Sequence, residues 1–530
     1  MRNMQNTFSS WCPELFLCLK KYKRSDFFSD LKAGLLVAIV AFPLFMIFAI
    51  ASGVSPYVGI TTCVIAGGLA SILGGARFQI VGPTGAFTVI VFNIIQEHGL
   101  SSLITALFFA SLMIIAFGLC KMGNLIRYIP YPITSGFTTG IGLSIIVSQI
   151  GNFLGMNTEN IPVKFFEKIS YYFSDLTNAN VYASILGIVS LIALQILQKQ
   201  KPNFPRYLVV IFFGIVYSYI FKDSGMDTIG TKFGSQSFSF PSFSFPDNIF
   251  NLEAIQELLP SAFAIAFLGS IENLLGALIS DNLSGKTHRP NLELVGQGIA
   301  NLFSSFFGGI PATCALGTTS LNVKAGARTP LAGIFNVCFI VMFVTCLEKW
   351  IQAIPMASLA AMLISAAWSM AAFDRTKYIL FAPKRDSVIF ITTIVSTLIF
   401  DIVFAVELGL VLSMMLFIKT NIETTDIDTV IETDENGSEI VRIKGNLFFG
   451  TSYIFSNVLN NLPKTHKSIQ IDMHDVSFID ASGARALREF VEKVKTQNIE
   501  VYLVGLNKRT VHVLQKMDKK HVDLYGHIKD

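Results

Sequence analysis

The tightest constraint on this chain is one stretch, Ala76–Val91, which reads ARFQIVGPTGAFTVIV. It is apolar enough to sit in a bilayer, yet Gly82, Pro83 and Gly85 interrupt it. Proline is tolerated in the first turn of a helix, where its missing N–H has no partner to lose. A helix can therefore begin only near Pro83, which leaves about 13 residues, Thr84 to Gln96, before the apolar run ends. At 1.5 Å per residue such a helix covers about 20 Å of a hydrocarbon layer roughly 30 Å thick. The stretch predicts a half-helix whose open N-terminus lies inside the membrane. That end carries about +0.5 of charge and several unpaired N–H donors.

A second stretch has the same character. Phe307–Lys324, FGGIPATCALGTTSLNVK, is apolar, broken by Gly308, Gly309 and Pro311, and followed by a short helical run. The first break lies 52 residues after the start of a long apolar segment, from Leu31 to Pro83. The second lies 54 residues after the start of another, from Glu257 to Pro311. Interrupted segments at corresponding places in two halves mark a transporter's site at an inverted-repeat interface.

The remaining composition agrees. Of 530 residues 52% are hydrophobic and 14% charged, whereas a soluble domain has about 25% charged residues. Fourteen apolar segments fall at roughly 31–52, 57–74, 83–96, 101–120, 130–150, 181–198 and 204–221, then 257–280, 292–308, 312–323, 329–347, 352–371, 386–402 and 404–420. The fifth is preceded by a short run at 124–128. With both termini inside, the outer loops hold five basic residues, Lys164, Lys168, Lys222, Lys232 and Lys349, against twenty on the inner side. Basic residues concentrate on the cytoplasmic side, so the count supports fourteen segments with N- and C-termini cytoplasmic in an inner (plasma) membrane. Seven segments per half make the second half inverted relative to the first.

The expected organisation is a cytoplasmic segment over 1–29 and a transport domain over 30–420, its repeats at 31–221 and 257–420. A small α/β domain follows over 421–530. The link between repeats contains SFSFPSFSFPDN, which reads as an outer loop lying on the protein surface. In the tail, strand-like runs at 439–444, 469–473 and 501–504 alternate with helical spacing at 482–495 and 507–517. Seven cysteines show neither a CxxC pair nor a metal spacing. The net charge of +4 suggests no nucleic-acid partner. No nucleotide-binding glycine loop or nucleophile–base pairing argues for an enzyme.

Two facing half-helix ends supply about +1 of partial charge. Backbone N–H groups near Ala86, Phe87, Leu316 and Gly317 could grip an oxyanion, and the small residues Gly85, Ala86, Ala315 and Gly317 would let it approach. A plainer reading is that glycine and proline only kink packed helices. Glu272 is the one acid between Leu258 and Ser280, in the middle of an apolar span. An ionisable residue there is a functional candidate by default. The alternative is a structural Glu hydrogen-bonded to Asn273 or a neighbouring helix.

Five stretches have a recognisable pattern: GLLVAIVAFPLFMIFAIASGVSP at 34–56, GGARFQIVGPTGAF at 74–87, the nearly unbroken run 270–334, IVRIKGNLFFG at 440–450 and DVSFIDASGARAL at 475–487. In the first three the chain resembles the SulP family of anion transporters, which is related to the animal anion exchangers. The last two resemble the family's C-terminal STAS domain. The resemblance implies a 7+7 inverted repeat in which a core of helices 1–4 and 8–11 moves against a gate of helices 5–7 and 12–14. That is elevator-type alternating access, usually in a homodimer. It also implies that Leu44, Phe48 and Phe87 wall the site. The implied substrate set is completed by Thr84, Gly85, Ala86, Cys314, Ala315, Leu316, Gly317 and Thr318. Cation coupling would fall to Glu272, Gly276, Thr313 and Thr318. Many members carry Arg after the small-residue run of the tenth segment, but TCALGTTSLN places Thr318 there. Sodium-coupled bicarbonate transporters of the family also lack it.

Helix ends of about +1 and an ionised Glu272 then sum to about zero. An anion would need an accompanying cation, either Na⁺ on oxygens of Glu272, Thr313 or Thr318, or a proton on Glu272. The expected activity is cation-coupled symport of bicarbonate, next sulfate, then a C4-dicarboxylate. An uncoupled anion channel is the alternative, and a nucleobase permease fits poorly with a STAS domain. Ser482 aligns with a phosphorylated serine of STAS relatives, though Ser or Asp there could equally cap the following helix. The STAS domain would also offer a surface to a cytoplasmic protein partner.

Overall fold

The computed structural model describes residues 11–517, apart from 125–129, 157–160, 163, 201–203, 223, 235–237, 239–241, 247–248, 250, 372, 401, 424–425, 429–438, 454–456 and 458–467. Residues 125–128 of the run at 124–128, half of the SFSFPSFSFPDN link and most of the polar linker after Glu423 lie outside the described residues. The chain divides into two compact units, Met1–Leu410 and Val411–Asp530.

A helix lies over each of the fourteen apolar stretches. In chain order these are α1 (Arg24–Ala51), α2 (Pro56–Leu73), α3 (Gly85–Leu119), α4 (Tyr131–Leu154), α5 (Val181–Gln200), α6 (Arg206–Ile220), α7 (Leu252–Ser284), α8 (Pro290–Phe306), α9 (Leu316–Lys324), α10 (Leu331–Cys346), α11 (Met356–Ala371), α12 (Lys384–Ile399) and α13 (Ile402–Glu423). The third and fourth stretches share α3, which breaks at Gly99, where φ is +84°. Among the described residues eight helices are long and apolar enough to cross a membrane by length and composition, and α6 and α10 are shorter apolar helices. Their ends follow local chemistry. Pro56 and Pro290 open α2 and α8, while Gly155 and Gly285 close α4 and α7 in the left-handed conformation.

The helices of the first unit pack in two sets. In one, α3 lies along α7 and α8, and α1 along α10; in the other, α11 and α12 lie along α4, and α11 along α5. Small residues permit these approaches: a Cβ on Gly140 of α4 would stand 2.7 Å from Thr397 Cβ of α12. The described part of the link lies on α8, with Ser244 N–H donating to Phe306 O at 2.8 Å. Near the N-terminus, Glu14 lies between Arg77 Nε at 2.9 Å and Arg289 Nη2 at 2.8 Å.

Two very short strands matter most to the site. Strand β1 (Val81–Gly82) pairs antiparallel with β2 (Thr313–Cys314), in the register Val81↔Cys314 and Gly82↔Thr313. The two broken segments therefore meet in antiparallel register, each just ahead of its helix, α3 or α9.

The second unit is a four-stranded sheet ordered β3 (Asp426–Asp428), β4 (Glu439–Lys444), β5 (Ser468–Asp475) and β6 (Glu500–Val504). The β3–β4 pair is antiparallel and the other two are parallel. Helices α14 (Ala481–Lys495) and α15 (Lys508–Met517) complete it. Alternate residues of β5 (Ile469, Ile471 and Met473) enter a core with Leu487 and Val491 of α14, as a half-buried sheet requires.

Candidate functional site

The site is built on the β1–β2 crossing. Thr84 is the N-cap of α3 and Ala315 the N-cap of α9, and neither side chain accepts a bond from its own helix. An uncapped end costs about 1 kcal/mol relative to a Ser, Asp or Asn cap. The first-turn amides of Gly85, Ala86, Leu316 and Gly317 have no intrahelical acceptors. Phe87 does not join them, because its N–H already donates to Thr84 O at 3.3 Å.

Thr84 uses its hydroxyl elsewhere. Its Oγ1 donates to Glu272 Oε2 at 3.0 Å. Glu272 comes from the middle of α7 and is 5% exposed. A carboxylate can accept about four hydrogen bonds, and Thr84 is its one side-chain donor among the described residues. The free lone pairs of a buried carboxylate suit a proton or a small cation. Asn273, the neighbour considered for a structural pairing, instead donates to Glu293 Oε1 at 3.3 Å.

One face of α8 holds both broken segments. Glu293, Gln297 and Asn301 are spaced i, i+4, i+8 and so share that face. Glu293 Oε2 accepts from Ala76 N–H at 2.7 Å, just before β1. Asn301 clamps one peptide of the second segment, accepting from Ala312 N–H and donating to Ala312 O, each at 2.8 Å. Gln297 Nε2 lies 3.2 Å from Thr313 Oγ1 and 3.2 Å from Gly269 O. Side chains thus replace the sheet neighbours that two-residue strands lack. Sequence reasoning missed all three. The criterion that singled out Glu272, an acid inside an apolar span, also finds Glu293 when applied to residues 292–308.

The other expected residues divide by placement. Phe48 and Met370 stand over the α3 end: a Cβ on Gly85 would lie 3.2 Å from Phe48 Cε1 and 2.8 Å from Met370 Sδ. Phe87 is buried, its ring near Gly269. Leu44 is half-buried on α1. At the α9 end Ala315 is half-buried, Leu316 and Gly317 are exposed, and a Cβ on Gly317 would meet nothing within 4 Å. Thr318 is buried and donates to Ala315 O at 3.0 Å, so its side chain closes its own turn. Thr313 donates to Gly269 O at 3.1 Å.

Two of the expected residues pack against each other. The Cys314 thiol is buried, 3.2 Å from Thr319 Oγ1, and directed at Gly276, where an added Cβ would run into the sulfur. Cys314 and Gly276 thus bring β2 and the start of α9 against α7. Among the described residues no group of three His, Cys, Asp or Glu is placed to hold a metal ion. In the second unit Asp480 is the cap of α14, accepting from Gly483 N–H at 2.8 Å, and Ser482 is half-buried in the first turn.

The sulfate permease family profile matches residues 27–393, and the STAS domain profile matches 430–530. Over 509 residues, 95% of this chain and 96% of the relative, the sequence is 36% identical to the putative sulfate transporter YvdB of Bacillus subtilis. It is 26% identical over 517 residues to the bicarbonate transporter BicA of Picosynechococcus, covering 92% of this chain and 90% of that protein. Among solved structures, the murine Solute Carrier 26 family member A9 anion transporter superposes with a TM-score of 0.86 at 19% identity, over 98% of this chain and 93% of that one. The transmembrane domain of a cyanobacterium bicarbonate transporter, BicA, gives 0.63 at 26% identity, over 74% of this chain and 98% of that one.

Proposed function

We propose that this chain, which belongs to the sulfate permease family and shares the fold of the Solute Carrier 26 anion transporter, moves a small inorganic anion across the inner membrane together with a cation. The observation that carries the reading is the pair of uncapped helix ends at the β1–β2 crossing, beside the buried Glu272. The first-turn amides of Gly85, Ala86, Leu316 and Gly317 hold the anion by backbone donors, and Leu44, Phe48 and Phe87 wall it. An anion there meets about +1 from the two ends and −1 from ionised Glu272. Charge balance then calls for a second cation, Na⁺ or H⁺, taken as co-substrate at Glu272, with hydroxyl oxygens of Thr313 and Thr318 as further ligands. Bicarbonate is the first reading, supported by the name of the 26% identical relative BicA and by Thr318 standing where the resemblance leads one to expect Arg. Sulfate is the second, supported by the name of the 36% identical relative.

Fourteen spans in two inverted repeats, with both termini cytoplasmic, fit the helix positions and the basic residues of the inner loops. The helix set built on α3, α7 and α8 would be the moving core, and the set built on α4, α11 and α12 the gate, in an elevator-type homodimer. The STAS domain would meet a cytoplasmic partner, with Ser482 as a candidate phosphorylation site. Uptake of labelled bicarbonate, sulfate and succinate into proteoliposomes, with and without a sodium or proton gradient, tests the reading. Accumulation of one inorganic anion only when a gradient is imposed is the expected result. Equal flux with and without gradients would indicate an uncoupled channel, and succinate uptake a dicarboxylate carrier.

A further inference from the structure

Lys168 lies on the short helix Phe165–Ser174, between α4 and α5, and is 8% exposed. Long basic side chains ordinarily carry their charge out to water. Here the ammonium sits 4.9 Å from the centre of the Phe92 ring. Among the described residues no carboxylate, carbonyl or hydroxyl bonds it. The nearby acid Glu167 instead pairs with Lys164 at 3.3 Å. Stacking on an aromatic face recovers part of the lost hydration, but a buried cation without a counter-charge remains costly. Desolvation accordingly pulls the Lys168 pKa below the usual lysine value.

The two partners belong to different helix sets. Phe165–Ser174 packs on α4 and α12, and Tyr172 OH donates to Ser148 O of α4 at 3.4 Å. Phe92 belongs to α3 and lies against Gly53, where a Cβ would stand 3.3 Å from the ring. Phe92 comes seven residues after Gly85, which is close to two full turns, about 10.5 Å, on the same face. That face is the one which at Gly85 looks at Phe48 and Met370. The ammonium, unpaired among the described residues, therefore lies at the seam between the sets, in line with the α3 end and two turns further out.

We propose that Lys168 is an outer recruitment site for the transported oxyanion, closed by stacking on Phe92 and opened when the two helix sets separate. The inference rests on the transport reading above, which puts the α4–α5 connection outside. When the sets part, the ammonium loses the ring and takes the incoming anion as its counter-charge. The anion then moves along the Phe92–Gly85 face to the helix ends. This supplies on the approach path the fixed cation that position 318 lacks.

The test is flux from each side of oriented proteoliposomes holding the full-length protein, with bicarbonate and sulfate as probes. Lys168→Met should raise the KM for outside anion at least fivefold while KM from inside and the influx maximal rate stay within twofold, the efflux maximal rate falling by the same factor as detailed balance requires. Lys168→Arg, which keeps the charge and stacks on Phe92, should stay within twofold from both sides. Should the Met variant not fold, Lys168→Gln gives the same reading with a hydrogen-bonding neutral chain. A side-independent KM change, or an outside KM that is unchanged in the neutral variant, overturns the proposal. Absence of flux in the parent protein would instead count against the transport reading itself.

Discussion

The two broken segments share a plan and differ in what surrounds them. Each runs through a two-residue strand into a helix without a side-chain cap, and the strands pair with each other. The α3 end is sealed: Gly85 is buried under Phe48 and Met370, and its cap residue Thr84 is tied to Glu272. The α9 end is open: Leu316 and Gly317 are exposed, with no heavy atom within 4 Å of a Gly317 Cβ. In the proposed transport reading, the sealed end would fix the charge of the site and the open end would admit the ligand. Equal topology at the two ends of a repeat does not imply equal roles.

The largest effect should come from Glu272→Gln. Gradient-driven accumulation should fall at least tenfold, about 1.4 kcal/mol or more in coupling, with folding retained because Gln can still accept from Thr84. Normal accumulation would remove Glu272 from coupling. Next come the sealed contacts. Gly85→Ala places a Cβ 2.8 Å from Met370 Sδ, and Gly276→Ala places one 2.1 Å from Cys314 Sγ. Overpacking of this kind costs about 1–3 kcal/mol, so both should lower the melting temperature in detergent, Gly276→Ala the more. At the open end, Gly317→Leu should leave stability within about 0.5 kcal/mol yet raise the anion KM severalfold. An unchanged KM would mean that the open end is not on the ligand path, and the contrast between the ends would fail. The smallest effect is expected at Cys314. Its thiol should resist maleimide with or without substrate, while Cys120 and Cys346, exposed at helix ends, react. Fast labelling of Cys314 would show that the α9 end opens further than its packing allows.

Legibility in the sequence followed the range of the interactions. Gly82, Pro83, Gly85 and Gly308, Gly309, Pro311 act on their own backbones, so the two half-helices could be read directly, and α3 begins where Pro83 requires. The α/β tail could be read because period-two and helical spacing are local. The β1–β2 ladder could not, since two residues carry no period and the partner lies more than 200 positions away. The α8 stripe of Glu293, Gln297 and Asn301 has a visible spacing, but its partners are backbone N–H and C=O groups of other segments. The packing of Cys314 was hidden for a related reason. Its place beside the α9 start is set by sequence, whereas the direction of its thiol is set by the gap that Gly276 leaves on another helix.

The central claim is that Glu272 offsets the two helix ends and so makes anion binding depend on a cation. Equilibrium binding of bicarbonate and sulfate, measured by calorimetry on the purified protein while sodium and pH are varied, tests it without transport. The parent protein should bind its anion tightly only with sodium or at low pH. Glu272→Gln, which leaves about +1 uncompensated at the helix ends, should bind the same anion with a flat dependence on both. If the parent binds equally well without either cation, or if Glu272→Gln stays as cation-dependent as the parent, the charge balance assigned to this site is wrong.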